Sequence, residues 1–406
     1  MRPANGILPA MRVAVYIHVP FCRRRCRYCD FATWAALEGL IPAYLGAVRA
    51  ELSRLRQWAD WKAGTVYFGG GTPSLLKGHQ VGRLLAQIQL TPDLEVSLEA
   101  NPGTVGRPEL EALHRAGVNR LSLGMQSGNE RELRMLGRAH THQAVVDAVR
   151  DARAAGVGNL NLDLMYGLPG QGRRQWKRSL DAALALQPEH LSLYALSVEP
   201  GTPLSDDIES GRIVGPDPDR AADLYDQACE VLMREGFEHY EVSNWARPGK
   251  ACLHNLAYWR NDAYLGVGAA AVGHWPVDQA GWRLRNVRHP QEYVARLQPG
   301  VEVDASELPI SPATDEREYV PADWAMAETM FMGLRLLEEG VERDRFRRRF
   351  GRDAVDVYTA PLSELHRAGL ITWDDRRLRL TPRAVMTANQ VFEAFLPEAP
   401  VRDVGP

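Results

Sequence analysis

VAVYIHVPFCRRRCRYCDF, Val13 to Phe31, is the stretch on which the reading of this chain turns. Its first seven residues alternate and are largely β-branched, the pattern of a strand. The strand runs into the spacing CxxxCxxC, formed by Cys22, Cys26 and Cys29, three of the five cysteines. Arg23, Arg24, Arg25 and Arg27 lie between them, and arginines are not packed in an apolar interior without partners. The segment is therefore a loop with a task. Three thiolates can hold three irons of a four-iron cluster and leave the fourth iron open to a ligand. The same logic separates open catalytic metal sites from closed structural ones. A tetrahedral zinc site would need a fourth ligand, and no further Cys follows Cys29 in the loop.

Composition narrows the setting. A chain of 406 residues has room for one large or two to three ordinary domains, each with a real core. Apolar content of 45%, charged content of 24% and a net charge of −3 are ordinary for a globular protein. They give no ground for nucleic acid as a bulk partner. No apolar run reaches membrane-span length, so no transmembrane segment is expected. The opening MRPANGILPAMR lacks the apolar core and cleavage site of a signal peptide. An odd, clustered set of cysteines is not a disulfide framework, and it fits a reducing cytoplasm.

Outward from the cysteine loop, the chain repeats. Strands are expected at Val13–Val19, Thr65–Phe68, Glu95–Asn101, Arg120–Gly124, in the run from Asn159 to Pro169 and at His190–Ser197. Helical stretches lie between them, among them 41–58, 108–116 ending at Gly117, and 217–234 after the sixth strand. Such βα repetition implies an α/β fold with a parallel sheet and right-handed crossovers. The residues that stand out fall mostly at or after strand carboxyl ends, the functional end of βα barrels. Gly69-Gly-Gly-Thr-Pro-Ser74 closes the second strand, and three glycines there let main chain approach a ligand. Glu99 sits at the end of the third strand, where a carboxylate can accept from ribose hydroxyls. Gln126 follows the fourth, and Arg138 lies beyond it in LGRAH. Asn161 and Asp163 share one face of the fifth strand, and such inward polar groups are costly unless paired. Tyr16 and His18 share a face of the first. Cys229, on the helix at 217–234, reads as a buried small hydrophobe.

The cysteine spacing, with the aromatic Tyr28 before its last Cys, resembles the radical S-adenosylmethionine (SAM) proteins. The resemblance implies a partial (βα)6 barrel and a [4Fe-4S] cluster on Cys22, Cys26 and Cys29. It also implies SAM on the open iron, cleaved by an electron from the cluster to a 5′-deoxyadenosyl radical. Carried over position by position, SAM contacts fall on Tyr16, Tyr28, Gly70, Gly71, Thr72, Glu99, Gln126, Arg138 and Asp163, with His18 in a supporting place.

A second dense stretch holds Tyr240 to Trp245, then His254-Asn-Leu-Ala-Tyr-Trp259, then Tyr264 to His274. Its small residues either pack closely or admit a flat ligand. HNxxYW together with CxxxCxxCDF and GGGTPS is similar to the HemW family of heme chaperones, relatives of the oxygen-independent coproporphyrinogen III dehydrogenase. That likeness implies heme as cargo, an acceptor hemoprotein (a membrane hemoprotein among the options) and His254 as an axial heme ligand. The dehydrogenase has a further Cys two residues after the triad, where this chain has Phe31, and a longer segment before it. A radical SAM oxidoreductase acting on a tetrapyrrole remains the rival reading. The arginines of the loop are either a solvated face or a dock for an acidic electron donor such as a flavodoxin.

The expected division is a barrel over 1–215, an extension carrying HNxxYW over 216–314 and a winged-helix-like α+β domain over 315–406. In the last, helices are expected at 323–339, 344–350 and 360–368, with a hairpin around Asp374-Asp375. Arg376, Arg377 and Arg379 on that hairpin also allow a DNA-binding module, against which the acidic net charge argues.

Overall fold

The computed structural model describes residues 11–301 and 308–397. The first ten residues of the N-terminal run read above lie outside it.

Six strands, β1 Met11–Val19, β2 Trp61–Gly70, β3 Leu90–Ala100, β4 Arg120–Gln126, β5 Leu160–Tyr166 and β6 His190–Ala195, pair in parallel in that order. Each is followed by a long helix: α1 Ile41–Trp58, α2 Gly78–Leu85, α3 Arg107–Arg115, α4 His142–Ala154, α5 Arg173–Leu184 and α6 Pro218–Arg234. Asp217 caps α6, its carboxylate accepting from the amides of Asp219 and Arg220. β7 Glu238–Glu241 and β8 Asn244–Ala246 turn back antiparallel beside β6.

The short helix α7, Leu253–Trp259, carries HNxxYW. After it β9, Tyr264–Val267, adds in parallel to the other flank of β1. β10 Val272–Val277, β11 Ala280–Asn286 and β12 Thr314–Val320 extend the sheet antiparallel, and α8, Pro290–Arg296, lies between β11 and β12. The two outermost strands, β12 and β7, do not pair, so the sheet curls as an open barrel. The stretch from 264 to 274 is used for packing. Gly266 backs onto the Val272 carbonyl, and the amide of Ala269 donates to the Tyr44 hydroxyl on α1 at 2.9 Å.

The strand alternation sorts the two faces of this sheet. Val15, Ile17, Val66, Phe68, Val96, Leu98, Leu121, Leu123, Leu160, Leu162, Leu191 and Leu193 face outward into a core beneath the helices. The inward set is polar: Tyr16 and His18, Thr65 and Tyr67, Ser97 and Glu99, Arg120 and Ser122, Asn161 and Asp163, His190 and Ser192. Register aligns it in rows, with Tyr16 beside Tyr67, Tyr67 beside Ser97 and Ser97 beside Arg120.

The C-terminal unit has its own core, from Val320 to Phe395. It contains α9 Ala322–Gly333, α10 Arg343–Phe350, α11 Thr359–Arg367 and a three-stranded antiparallel sheet. That sheet is β13 Val341–Glu342, β15 Arg377–Leu380 and β14 Ile371–Trp373 in spatial order. The helix expected to run to Glu339 stops at Gly333. The following LRLLEE is drawn out to dock on the barrel extension. The Leu337 amide donates to the Tyr240 carbonyl at 3.1 Å and the Val242 amide to that of Arg335 at 3.2 Å. Tertiary pairing here overrides strong helix formers.

Glu51 ties the elements flanking β1 together. Its buried carboxylate accepts from the Gly268 amide (2.9 Å), Asn286 Nδ2 (2.8 Å), the Tyr293 hydroxyl (2.6 Å) and the Ser311 hydroxyl (2.8 Å). Burial pushes the carboxyl above its usual range and the donors pull it back. Glu51→Ala, which leaves these donors unpaired, should cost about 2–4 kcal/mol. The check is a urea transition with a lowered midpoint and an unchanged slope.

A candidate cofactor site at the mouth of the barrel

Beyond β1 the chain makes a two-residue parallel pairing, Phe21–Cys22 with Trp34–Ala35, and the cysteine loop lies between. His18 holds that loop to the strand end. Its Nε2 bonds the Ala32 carbonyl at 2.9 Å and its Nδ1 the Tyr16 hydroxyl at 3.0 Å. Further anchors are the Arg27 amide to the Leu136 carbonyl (3.0 Å), the Leu204 amide to the Arg27 carbonyl (2.9 Å) and an Arg27–Asp207 ion pair.

Cys22, Cys26 and Cys29 line one cavity of about 430 Å³ at the carboxyl ends of the strands. Around it stand Tyr28, Gly70, Gly71, Thr72, Glu99, Gln126, Arg138 and Asp163. Residues far apart in the chain thus meet on one wall. The Thr72 hydroxyl donates to Cys22 Sγ at 3.5 Å, and Arg138 Nη1 to Cys26 Sγ at 3.4 Å. Arg138 also donates to the Gly124 carbonyl at 2.8 Å and to Asn101. Desolvation raises the Cys22 and Cys29 thiols, and hydrogen bonds to both lower them.

Among the described residues no three His, Cys, Asp or Glu side chains form a set that could hold a metal ion. An iron–sulfur cube spreads its ligands over separate irons, and thiols arrayed around a cavity with donors at their sulfurs suit it. The glycines let the end of β2 pack close against the strand end and the cysteine loop. Gly70 has φ of +112°, and a Cβ there would meet the His18 ring at 2.5 Å. A Cβ on Gly71 would press on Cys22 Sγ at 3.0 Å. Gln126 takes φ of +63°, a left-handed conformation rare for its type. The strain falls where its side chain meets the cavity.

Glu99 accepts from the Tyr67 hydroxyl at 2.9 Å and from the Gly70 amide at 3.1 Å. Desolvation first, then the neighbouring charge of Asp163, raises its pKa to about 7. Asp163 accepts from Ser122 (3.0 Å) and Asn161 (2.7 Å), and burial raises it too. Phe31 is 63% exposed at the mouth beside Arg24 and Arg25.

Two of the residues carried over by resemblance stand outside this lining. Tyr16 is packed behind the wall, 6.3 Å from the Tyr67 ring. His254 is 1% exposed and stacks on Tyr67 at 5.0 Å. Its Nδ1 bonds the Thr65 hydroxyl at 2.8 Å and its Nε2 the Tyr258 hydroxyl at 3.0 Å. Burial lowers its pKa to about 3. Both ring nitrogens of this neutral imidazole are thus bonded within the protein. The ring fits a residue that seats α7 against β2. The neighbouring Asn255 does line the cavity.

Sequence reasoning passed over Tyr67, Asn101, Arg120, Ser122, Ser192, Tyr194 and Asn255, all in the lining. Period-two reading of β4 and β6, applied as it was to β5, would have found Arg120, Ser122, Ser192 and Tyr194. Nothing in the sequence marks Asn101 or Asn255 as lining the same cavity as Cys22.

This is the cluster-and-cofactor end of a radical SAM barrel. The model of the Radical SAM superfamily matches residues 16–183, and that of the HemN C-terminal domain residues 320–387. The chain belongs to the family of heme chaperones called HemW. It is 34% identical to "Heme chaperone HemW" of Bacillus subtilis over 391 residues, 95% of this chain and 99% of that protein. It is 38% identical to the Mycobacterium tuberculosis protein of that name, with 97% of each covered. Coproporphyrinogen III oxidase (HemN) from Escherichia coli has the same fold, with a TM-score of 0.80 over 96% of this chain and 91% of that one, at 21% identity.

Glu99 makes the stability of the apoprotein depend on pH. Its folded pKa of about 7 lies above the ordinary 4.5, so the folded state holds the proton more tightly. The group costs nothing below pH 4.5 and penalises the fold as pH rises through 7. The loss is about 2 kcal/mol after allowance for cavity water. Denaturant midpoints between pH 4.5 and 8 should show this fall in the wild type, and Glu99→Gln should flatten it.

Proposed function

We propose that this chain is a heme chaperone, binding heme and passing it to an acceptor hemoprotein on a radical SAM scaffold. What carries the reading is the end-to-end likeness to proteins named for that activity, at 34% and 38% identity. The resemblance to the coproporphyrinogen oxidase concerns fold alone, and fold does not assign function.

The cluster would be a [4Fe-4S] centre on Cys22, Cys26 and Cys29, with SAM completing the open iron. When bound, it supplies an electron for reductive chemistry. Around it the chain's own groups have defined tasks. Thr72 and Arg138 donate to the sulfurs, which stabilises their thiolate character. Glu99 and Asp163 would accept from the hydroxyls of the cofactor. Replacing Cys26 by Ala should abolish the brown absorbance of anaerobically reconstituted protein without unfolding it. Retention of that absorbance at full intensity would move the cluster elsewhere.

The mouth of the cavity suits a flat, carboxylate-bearing ring better than the interior around His254 does. Phe31 offers exposed aromatic surface there, and Arg24 and Arg25 offer charge. Heme titration followed by absorbance should saturate in wild type and also in His254→Ala. The mutation should show instead as a loss of about 1–3 kcal/mol of stability, from Thr65 and Tyr258 left unpaired. Loss of the heme spectrum in a folded His254→Ala protein would return the ligand to that ring.

The exposed Arg23, Arg24 and Arg25 also suit docking of an acidic electron donor such as a flavodoxin. Among the described residues no helix is long and apolar enough to cross a membrane. An acceptor in a membrane would then be met at its surface, from the cytoplasm.

A further inference from the structure

Arg120 opens β4 and points inward, where it is 2% exposed and lines the cavity. Its Nε is buried with no partner, and among the described residues no group accepts a hydrogen bond or closes an ion pair with its guanidinium. The neighbouring carboxylates are each held by other donors. Glu95 accepts from the amides of Leu253 (3.0 Å) and His254 (3.1 Å) and from the Ser97 hydroxyl (3.2 Å). Glu99 and Asp163 have the donors described above. Asn161 Oδ1 takes the Ser192 hydroxyl (3.1 Å) and bonds His190 Nδ1 (2.7 Å). Arginine does not shed its proton to escape burial. Burial works against its charge while Cys252 and Glu95 nearby favour it, so the guanidinium stands as a cation beside the cavity with no hydrogen-bonded partner among the described residues.

We propose that Arg120 anchors an anion subsite within the barrel, taking the carboxylate of a ligand distinct from the cofactor at the cluster loop. The planar fork of the guanidinium matches a carboxylate in two parallel hydrogen bonds. Glu99 and Asp163 line the same cavity, so a doubly charged phosphate is repelled more than a monoanion. The subsite therefore selects monocarboxylates. It stands apart from Arg138, which is committed to Cys26, Gly124 and Asn101. The inference is independent of heme carriage.

The test uses the full chain, reconstituted anaerobically with SAM, and 13C-labelled propionate as probe at constant ionic strength. Binding is read by saturation-transfer NMR and melting temperature by scanning calorimetry. Wild type should bind propionate saturably and inorganic phosphate less tightly. Arg120→Met should weaken propionate at least about tenfold. Its melting transition should stay cooperative, which shows that propionate binding is lost from a folded protein. Arg120→Lys, with the charge but not the fork, should bind several-fold more weakly than wild type. Absence of saturable propionate binding in wild type, or equal binding by Arg120→Met, overturns the proposal. So does an Arg120→Met protein that unfolds or melts far lower while Arg120→Lys restores stability without binding propionate. Arg120 would then be a counter-ion of the inner carboxylates.

Discussion

The inner face of a curled parallel sheet is closed to bulk water, and here it is lined with polar groups. Each of them needs a partner, since an unpaired donor or acceptor in such a place costs the full desolvation of the group. The barrel meets this with an extended network. Asn161 joins His190, Ser192, Ser122 and Asp163, and Tyr240 joins His190 from β7. Glu95 satisfies the first amides of α7 and so seats the HNxxYW segment under the barrel. A network of this kind fixes the strand register, because a one-residue slip would put the polar set beneath the helices and the leucines inside.

The same constraint explains how the cysteine loop is held. His18 uses one ring nitrogen to bind the loop and the other to bind Tyr16, so the orientation of the loop follows from the packing of β1. Gly70 gives its amide to Glu99 and its empty Cβ position to His18. Cluster loop, glycine run and third strand are therefore one mechanical unit. The arrangement is shared in outline with the coproporphyrinogen oxidase, whose fold superposes along nearly the whole chain at 21% identity.

HNxxYW has a structural part in the molecule. His254 and Tyr258 lie one helical turn apart and bond each other, and His254 also bonds Thr65 on β2. Trp259 lies under the Arg335 guanidinium, 4.3 Å from its ring centre, on the segment from the C-terminal unit. The motif thus fastens three parts of the molecule.

The local pattern along the chain determined a good deal. Alternating β-branched runs, glycine stops and amphipathic stretches set six βα units, because those signals act over a few residues. The ends of α1 at Ile41 and Trp58 and the cap at Asp217 were legible for the same reason, and the cysteine spacing marked a cluster loop. The candidate site was legible wherever a motif sits at a strand end, as at Cys22, Gly70, Glu99 and Asp163. Tertiary structure decided what depends on closure. It ended α9 at Gly333, because LRLLEE found backbone partners on β7. It joined β9 to the flank of β1, across about 250 residues. It enclosed both nitrogens of His254 and left Arg120 without a partner in the same interior. Whether a polar side chain is solvated, satisfied or stranded depends on neighbours from other strands, and those neighbours exist only once the sheet has curled.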